Sequence, residues 1–203
     1  MRKIVVFCSS SYTIDPNYNE AARQAVRGLC GKGYGIVSGG AVKGTMGVVS
    51  DEAAKCGGWH KGVLPRFMGQ YLYPGLSELV WTDTMSQRKE EMRRDTCAAV
   101  ALPGGIGTLD ELIETHVLAK LGQYDGKIYA LNLGGFYDPL KSLLSHYVET
   151  GMTATEDVGL IKFPERPPHS QAGGRPALGA GSAGRGGRRR PLRCPRGRFS
   201  RRL

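Results

Sequence analysis

Short apolar runs rich in β-branched residues recur along this chain, and most lead into a segment with helical spacing. The runs are KIVVFC (3–8), GIVS (35–38), KGVLP (61–65), ELVWT (78–82), CAAVALP (97–103) and KIYALNL (127–133). A run that is apolar at successive positions suits a strand covered on both faces, as in a parallel sheet. Strands alternating with helices build an α/β layer whose crossovers place helices on both sides. The expectation is therefore an α/β, doubly wound, mostly parallel sheet in a single domain.

The helix signals agree. Asp15-Pro16 offers an N-cap and a first helical position. Tyr18, Ala22, Ala25, Val26 and Leu29 keep helical spacing, and Gly31 and Gly33 end the segment. Further helices are expected from about Met46 to Cys56, from about Met85, after CAAVALP, and over 138–149. Ligands of such sheets bind at the carboxyl ends of the strands.

Two glycine loops fall at strand ends. The first, SGGAVKGTMG (38–47), has Lys43-Gly44-Thr45 where a P-loop needs Gly-Lys-Ser/Thr, and it also lacks the dinucleotide fingerprint. It leaves a strand and enters a helix, so Gly39 and Gly40 suit either an anion cradle or a plain tight turn. The second is PGGIGT (103–108). Gly104, Gly105, Ile106, Gly107 and Thr108 bring bare backbone and a hydroxyl to a helix start, where N–H groups and the helix dipole favour a phosphate. Asp110 stands where a dinucleotide motif wants glycine, which favours a mononucleotide. Thr108 and Glu111 also have capping-box spacing, and in that reading Glu111 only caps a helix.

TMSQRKEEM (84–92) offers Thr84 and Gln87 as another capping box, with Arg88 and Lys89 in the first turns behind it. Cations there oppose the helix dipole, which points to a use such as pairing with phosphate; the alternative is a solvated face beside Glu90 and Glu91. Arg88 and Glu111 both belong near the carboxyl edge of the sheet. Ser9, Ser10 and Ser11 end the first strand, as ligand contacts or as a turn.

The chain has 203 residues and a net charge of +10. Eleven arginines and no Lys, Asp or Glu follow residue 165; subtracting them leaves −1 on residues 1–165. Residues 1–165 are thus the expected folded unit. Residues 166–203, rich in Gly, Pro, Ala and Arg, read as a disordered tail. The tail lacks repeats or spaced aromatics, so nucleic acid is not an expected partner. Five widely spaced cysteines read as free thiols of a reducing compartment. The apolar start is too short for a signal peptide and no run approaches a membrane span, so a cytoplasmic protein without membrane attachment is expected. The four histidines have no metal spacing, and neither metal nor cofactor is expected.

FCSSS, SGGAVKGTMG, MSQRKEEM and PGGIGTLDE together resemble the LOG family, often labelled lysine decarboxylases. Its hallmark is P-G-G-x-G-T-x-x-E preceded by an Arg-Lys pair after a methionine, and the likeness runs from about Lys3 to Lys162. The resemblance implies a Rossmann-like fold and a homodimer with active sites near the subunit interface. It implies hydrolysis of an N6-modified adenosine 5′-monophosphate to free base and ribose 5-phosphate, with catalytic roles on Arg88 and Glu111. It also implies a phosphate site at Gly104, Gly105, Gly107 and Thr108, with Lys89 following the arginine. Gln70, Val117 and HVLAKLG (116–122) depart from the family pattern where a base or sugar would be read, which leaves plain AMP as another substrate. The alternative is a binding or carrier protein for a nucleotide or molybdenum cofactor, without hydrolysis.

Overall fold

The computed structural model describes residues 1–167. Its sheet contains β1 (Lys3–Phe7), β2 (Gly35–Ser38), β3 (His60–Pro65), β4 (Glu78–Thr82), β5 (Thr96–Ala101), β6 (Lys127–Ala130) and β7 (Ile161–Lys162). Every pairing is parallel, in the order β4-β3-β2-β1-β5-β6-β7. The direction of winding reverses between β1 and β5. The carboxyl ends of those two strands therefore diverge around a crevice, where doubly wound sheets take ligands.

The helices are α1 (Pro16–Cys30), α2 (Gly44–Lys55), α3 (Met85–Arg93), α4 (Ile106–Lys120), α5 (Asp138–Glu149) and α6 (Thr155–Val158). The alternation of side chains along β1 divides the core. Ile4 and Val6 pack with Ala22, Val26 and Val49 of α1 and α2. Val5 and Phe7 pack with Met92, Leu112 and Leu144 of α3, α4 and α5. Both faces of the strand are dry, which is why its sequence shows no polar alternation.

Local chemistry sets the helix starts. Asp15 accepts from the Asn17 amide at 2.8 Å and Pro16 occupies the first turn of α1. Thr84 and Gln87 form the expected capping box of α3. Other boundaries differ from expectation. α2 begins at Gly44, before Met46. The last predicted strand ends at Ala130, because Asn132 bonds the Tyr137 amide and the Asp138 carboxylate and turns the chain into a short 3-10 segment, Leu133–Gly135. β7 and α6 were not expected; with two and four residues they are too short to show a hydrophobic period. No helix among the described residues is long and apolar enough to cross a membrane. The tail expected from residue 166 lies, beyond Pro167, outside the described residues, as do His169 and Cys194.

Candidate active site

α3 begins at a fixed point. The Gln87 amide donates to Thr84 Oγ1 at 3.2 Å, and Gln87 Oε1 accepts from the amides of Thr84 and Asp83. This lock sets the direction of the next residue, Arg88. Arg88 is 7% exposed, and each part of its guanidinium has a place. Nε donates to the Val63 carbonyl of β3 at 3.2 Å. Nη1 donates to Glu111 Oε1 at 2.7 Å. Nη2 lies against Gly39, where an added Cβ would sit only 2.1 Å away. Glycine at 39 is therefore a space requirement of the arginine.

α4 supplies the other half. Its N-cap is Gly105 and no side chain caps it. The capping box weighed for Thr108 and Glu111 is not formed, because the helix starts at Ile106 and both residues lie inside it. Thr108 packs on Gly104, whose Cβ would meet Thr108 Oγ1 at 2.2 Å. At Gly105 and Gly107 a Cβ would meet no atom within 4 Å, so bare backbone faces open space at the positive end of α4. Glu111 is buried, and burial pushes its carboxyl above the ordinary glutamate value while Arg88 opposes the shift.

These groups line one cavity of about 280 Å³. Ser9, Ser10 and Ser11 close it from the end of β1, and Gly39 from the end of β2. Gly105, Ile106, Gly107, Thr108 and Glu111 face it from the second loop and α4, and Arg88 from α3. Its floor includes Cys8, whose thiol burial holds protonated. Four methionines, Met46, Met68, Met85 and Met92, complete the wall. Met85, Arg88 and Met92 are three and four residues apart, one face of α3; that spacing was the available signal for them.

Three of the predicted residues stand behind the cavity. Gly104 supports Thr108, as described. Gly40 has φ +68° and touches Gly62 of β3, an approach only glycine allows. Lys89 points to α4, where it bonds Asp110 at 2.9 Å and also pairs with Glu114. Arg93 adds a 2.7 Å bond to Glu114. Lys89 and Arg93 thus join α3 to α4 beside the Arg88–Glu111 bond. A larger groove of about 750 Å³ lies near Arg93, Arg94, Thr96 and Tyr124. Its arginines are already paired with Glu90, Glu91 and Glu114, and no glycine loop reaches it, so the smaller cavity is the better candidate. Among the described residues, no group of three or more His, Cys, Asp or Glu is placed to hold a metal ion.

The family model described as "Possible lysine decarboxylase" matches residues 46–170. A probable cytokinin riboside 5′-monophosphate phosphoribohydrolase of Oryza sativa subsp. japonica is 39% identical over 153 residues, 74% of this chain and 62% of the relative. The chain thus spans less than two thirds of that relative. The cytokinin riboside 5′-monophosphate phosphoribohydrolase of Mycobacterium tuberculosis is 35% identical over 73% of this chain and 80% of its own length. One from Arabidopsis thaliana is 36% identical, over 76% and 73%. Among solved structures, the molybdenum cofactor carrier protein of Chlamydomonas reinhardtii has a TM-score of 0.60 at 20% identity, covering 80% of this chain and 89% of that one. That likeness extends to the Rossmann-like fold alone. The family model spans α4 and the Arg88–Glu111 pair, and with relatives 35–39% identical over about three quarters of the chain these matches show that the chain belongs to the LOG family of phosphoribohydrolases.

Proposed function

We propose that this protein hydrolyses the N-glycosidic bond of an adenosine 5′-monophosphate, N6-modified or plain, to free base and ribose 5-phosphate. The observation that carries the reading is the buried Arg88–Glu111 pair in a cavity whose rim is the uncapped start of α4. The 5′-phosphate sits at the backbone N–H groups of Gly105–Thr108, where the helix dipole favours an anion. Arg88 steadies the phosphate or ribose and fixes the sugar against Glu111. As the C1′–N bond breaks, positive charge grows on the ribose ring. The Glu111 carboxylate stabilises that charge and orients the attacking water, whose oxygen bonds C1′. The departing base takes the bonding pair and, in net terms, the proton that the attacking water gives up, so that a hydroxyl stays on C1′ and the base leaves neutral. Lys89 acts by fixing α3 against α4 and contacts the phosphate only if its two acids release it.

We place the protein in the cytoplasm as a homodimer. Exposed Met85 and Ile106 at the cavity mouth, with Val117 and Leu121 further along α4, give the apolar surface such a contact needs. Residues 1–165 form the working unit of this reading, and the basic tail has no part in it.

The direct test is incubation with AMP and with isopentenyladenosine 5′-monophosphate, following free base by chromatography, with Glu111→Gln beside the unaltered protein. Base release that the substitution abolishes supports the reading. Nucleotide recovered intact after long incubation, still bound, makes the protein a carrier.

A further inference from the structure

The first glycine loop hangs on a buried histidine. Gly40 donates its amide proton to Ser38 Oγ at 3.2 Å. Ser38 is the last residue of β2 and fully buried. Its hydroxyl lies 2.8 Å from His60 Nε2, at the start of β3. A serine hydroxyl can accept twice and donate once, so the proton of this bond comes from the hydroxyl or from the ring according to the imidazole tautomer. In either tautomer the neutral ring leaves Nδ1, which is buried, without a hydrogen-bond partner. Burial favours this neutral ring, lowering its pKa to about 4.

A half-satisfied imidazole is an expensive way to fill a core position; an apolar side chain would fill it without an orphan polar nitrogen. What the ring supplies is direction. Bonded to His60, the Ser38 hydroxyl oxygen is held where a lone pair meets the Gly40 amide. Gly40 continues the chain of contacts: its carbonyl accepts from Tyr73 at 2.9 Å, and its left-handed φ of +68° makes the turn. Gly39, one residue earlier, is the backbone surface that confines Arg88 Nη2.

We propose that His60 is a positioning residue for this site: through Ser38 it holds the Gly39–Gly40 turn and so holds Arg88 in register with Glu111. The inference rests on the hydrolase reading for its activity assay. It concerns a residue that lines no part of the cavity and that the family motifs do not contain.

The test compares His60→Leu, His60→Gln, Ser38→Ala and the Ser38→Ala/His60→Leu double variant for kcat/KM of base release, with thermal unfolding alongside. Misplacing a catalytic group by a fraction of an ångström costs on the order of tenfold or more. His60→Leu and Ser38→Ala are each expected to lose about tenfold, and the double variant no more than either, because they break one chain of contacts. Gln carries both a carbonyl and an amide N–H for the Ser38 hydroxyl, so His60→Gln should recover most of the loss. A purely structural role would make losses follow unfolding temperature and would show no such rescue. His60→Leu within twofold of the unaltered protein, multiplying effects in the double variant, or His60→Gln no better than His60→Leu overturns the proposal. If His60→Leu does not fold, Ser38→Ala and His60→Gln decide it by the same criteria. If the unaltered protein releases no base, the hydrolase reading fails separately. The proposal is then judged on AMP affinity, a tenfold loss in these variants supporting it and no change overturning it.

Discussion

Arg88 Nη1 and Glu111 Oε1 stand 2.7 Å apart, in a buried bond between two helices whose partners are 23 residues apart in the chain. The bond does two things at once. It neutralises a cation and an anion that neither helix could bury alone, and it holds a carboxylate at the wall of the nucleotide cavity.

Replacing one partner separates these roles. Arg88→Met leaves the Glu111 carboxylate buried without a counter-charge, and the expected loss of stability at neutral pH is ~3–5 kcal/mol. Glu111→Gln keeps an acceptor for Arg88 but leaves the guanidinium buried without a counter-charge, so it too should lose stability, by less than Arg88→Met, while turnover falls by about a thousandfold and AMP still binds. Denaturant unfolding, base release and calorimetric AMP binding on both variants check this. A Glu111→Gln enzyme near full speed would remove the glutamate from the chemistry.

The pH dependence of kcat/KM follows from the same residue. Burial raises Glu111 above the ordinary 4.5 despite Arg88. The working form is the carboxylate, so activity is lost as pH falls through the raised pKa. The acid limb of kcat/KM, which reports the free enzyme, is expected above pH 4.5. A limb at or below that value contradicts the assignment.

His60 predicts a pH dependence of stability. Its folded pKa is lowered from 6.5 to about 4 by burial, so the unfolded chain takes up the proton first as pH falls. The stability that the neutral ring contributes is complete above 6.5 and is lost between there and 4, by about 3 kcal/mol in all. In His60→Gln that part of the slope should vanish. Unfolding in denaturant at pH 7, 5.5 and 4.5 measures it.

The glycines divide into two groups by what surrounds them. Gly39→Ala puts a methyl onto Arg88 Nη2, and the arginine must move; base release should fall at least tenfold with little loss of fold. Gly105→Ala meets nothing in the protein and should leave unfolding temperature unchanged. If Gly105→Ala nevertheless weakens AMP binding, the space above that residue belongs to the ligand.

Deletion of residues 168–203 should leave base release and thermal unfolding unchanged, since Arg88, Glu111 and the glycine loops on which the reading rests all lie before them. Loss of activity on deletion would give the arginines a function. Light scattering on the same protein tests the dimer.

Much of this architecture was legible because local rules govern it. The apolar runs located six of the seven strands, and Asp15-Pro16 and Thr84/Gln87 marked two helix starts by their own side chains. The sequence was less informative where the outcome depends on distant partners. Glu111 has a perfectly good local use as a cap with Thr108; only the crossover that returns β5 beside β1 brings Arg88 to compete for it. Lys89 reads as a phosphate ligand by its place after Arg88, yet one residue along a helix turns a side chain about 100°, which carries it to Asp110 and Glu114. His60 showed no signal at all, since its partner is a serine on a neighbouring strand.

A sheet of this kind has two raw edges, and the β7 edge has a bearing on how the protein survives at high concentration. β7 offers only two residues of ladder, and Pro164, which follows almost at once, has no N–H to extend it. The Pro164 carbonyl is also occupied, accepting from the Asn132 amide at 2.8 Å. A second chain finds almost no template there, so the long parallel sheet that the nucleotide site requires is shielded at that edge from growing into an aggregate.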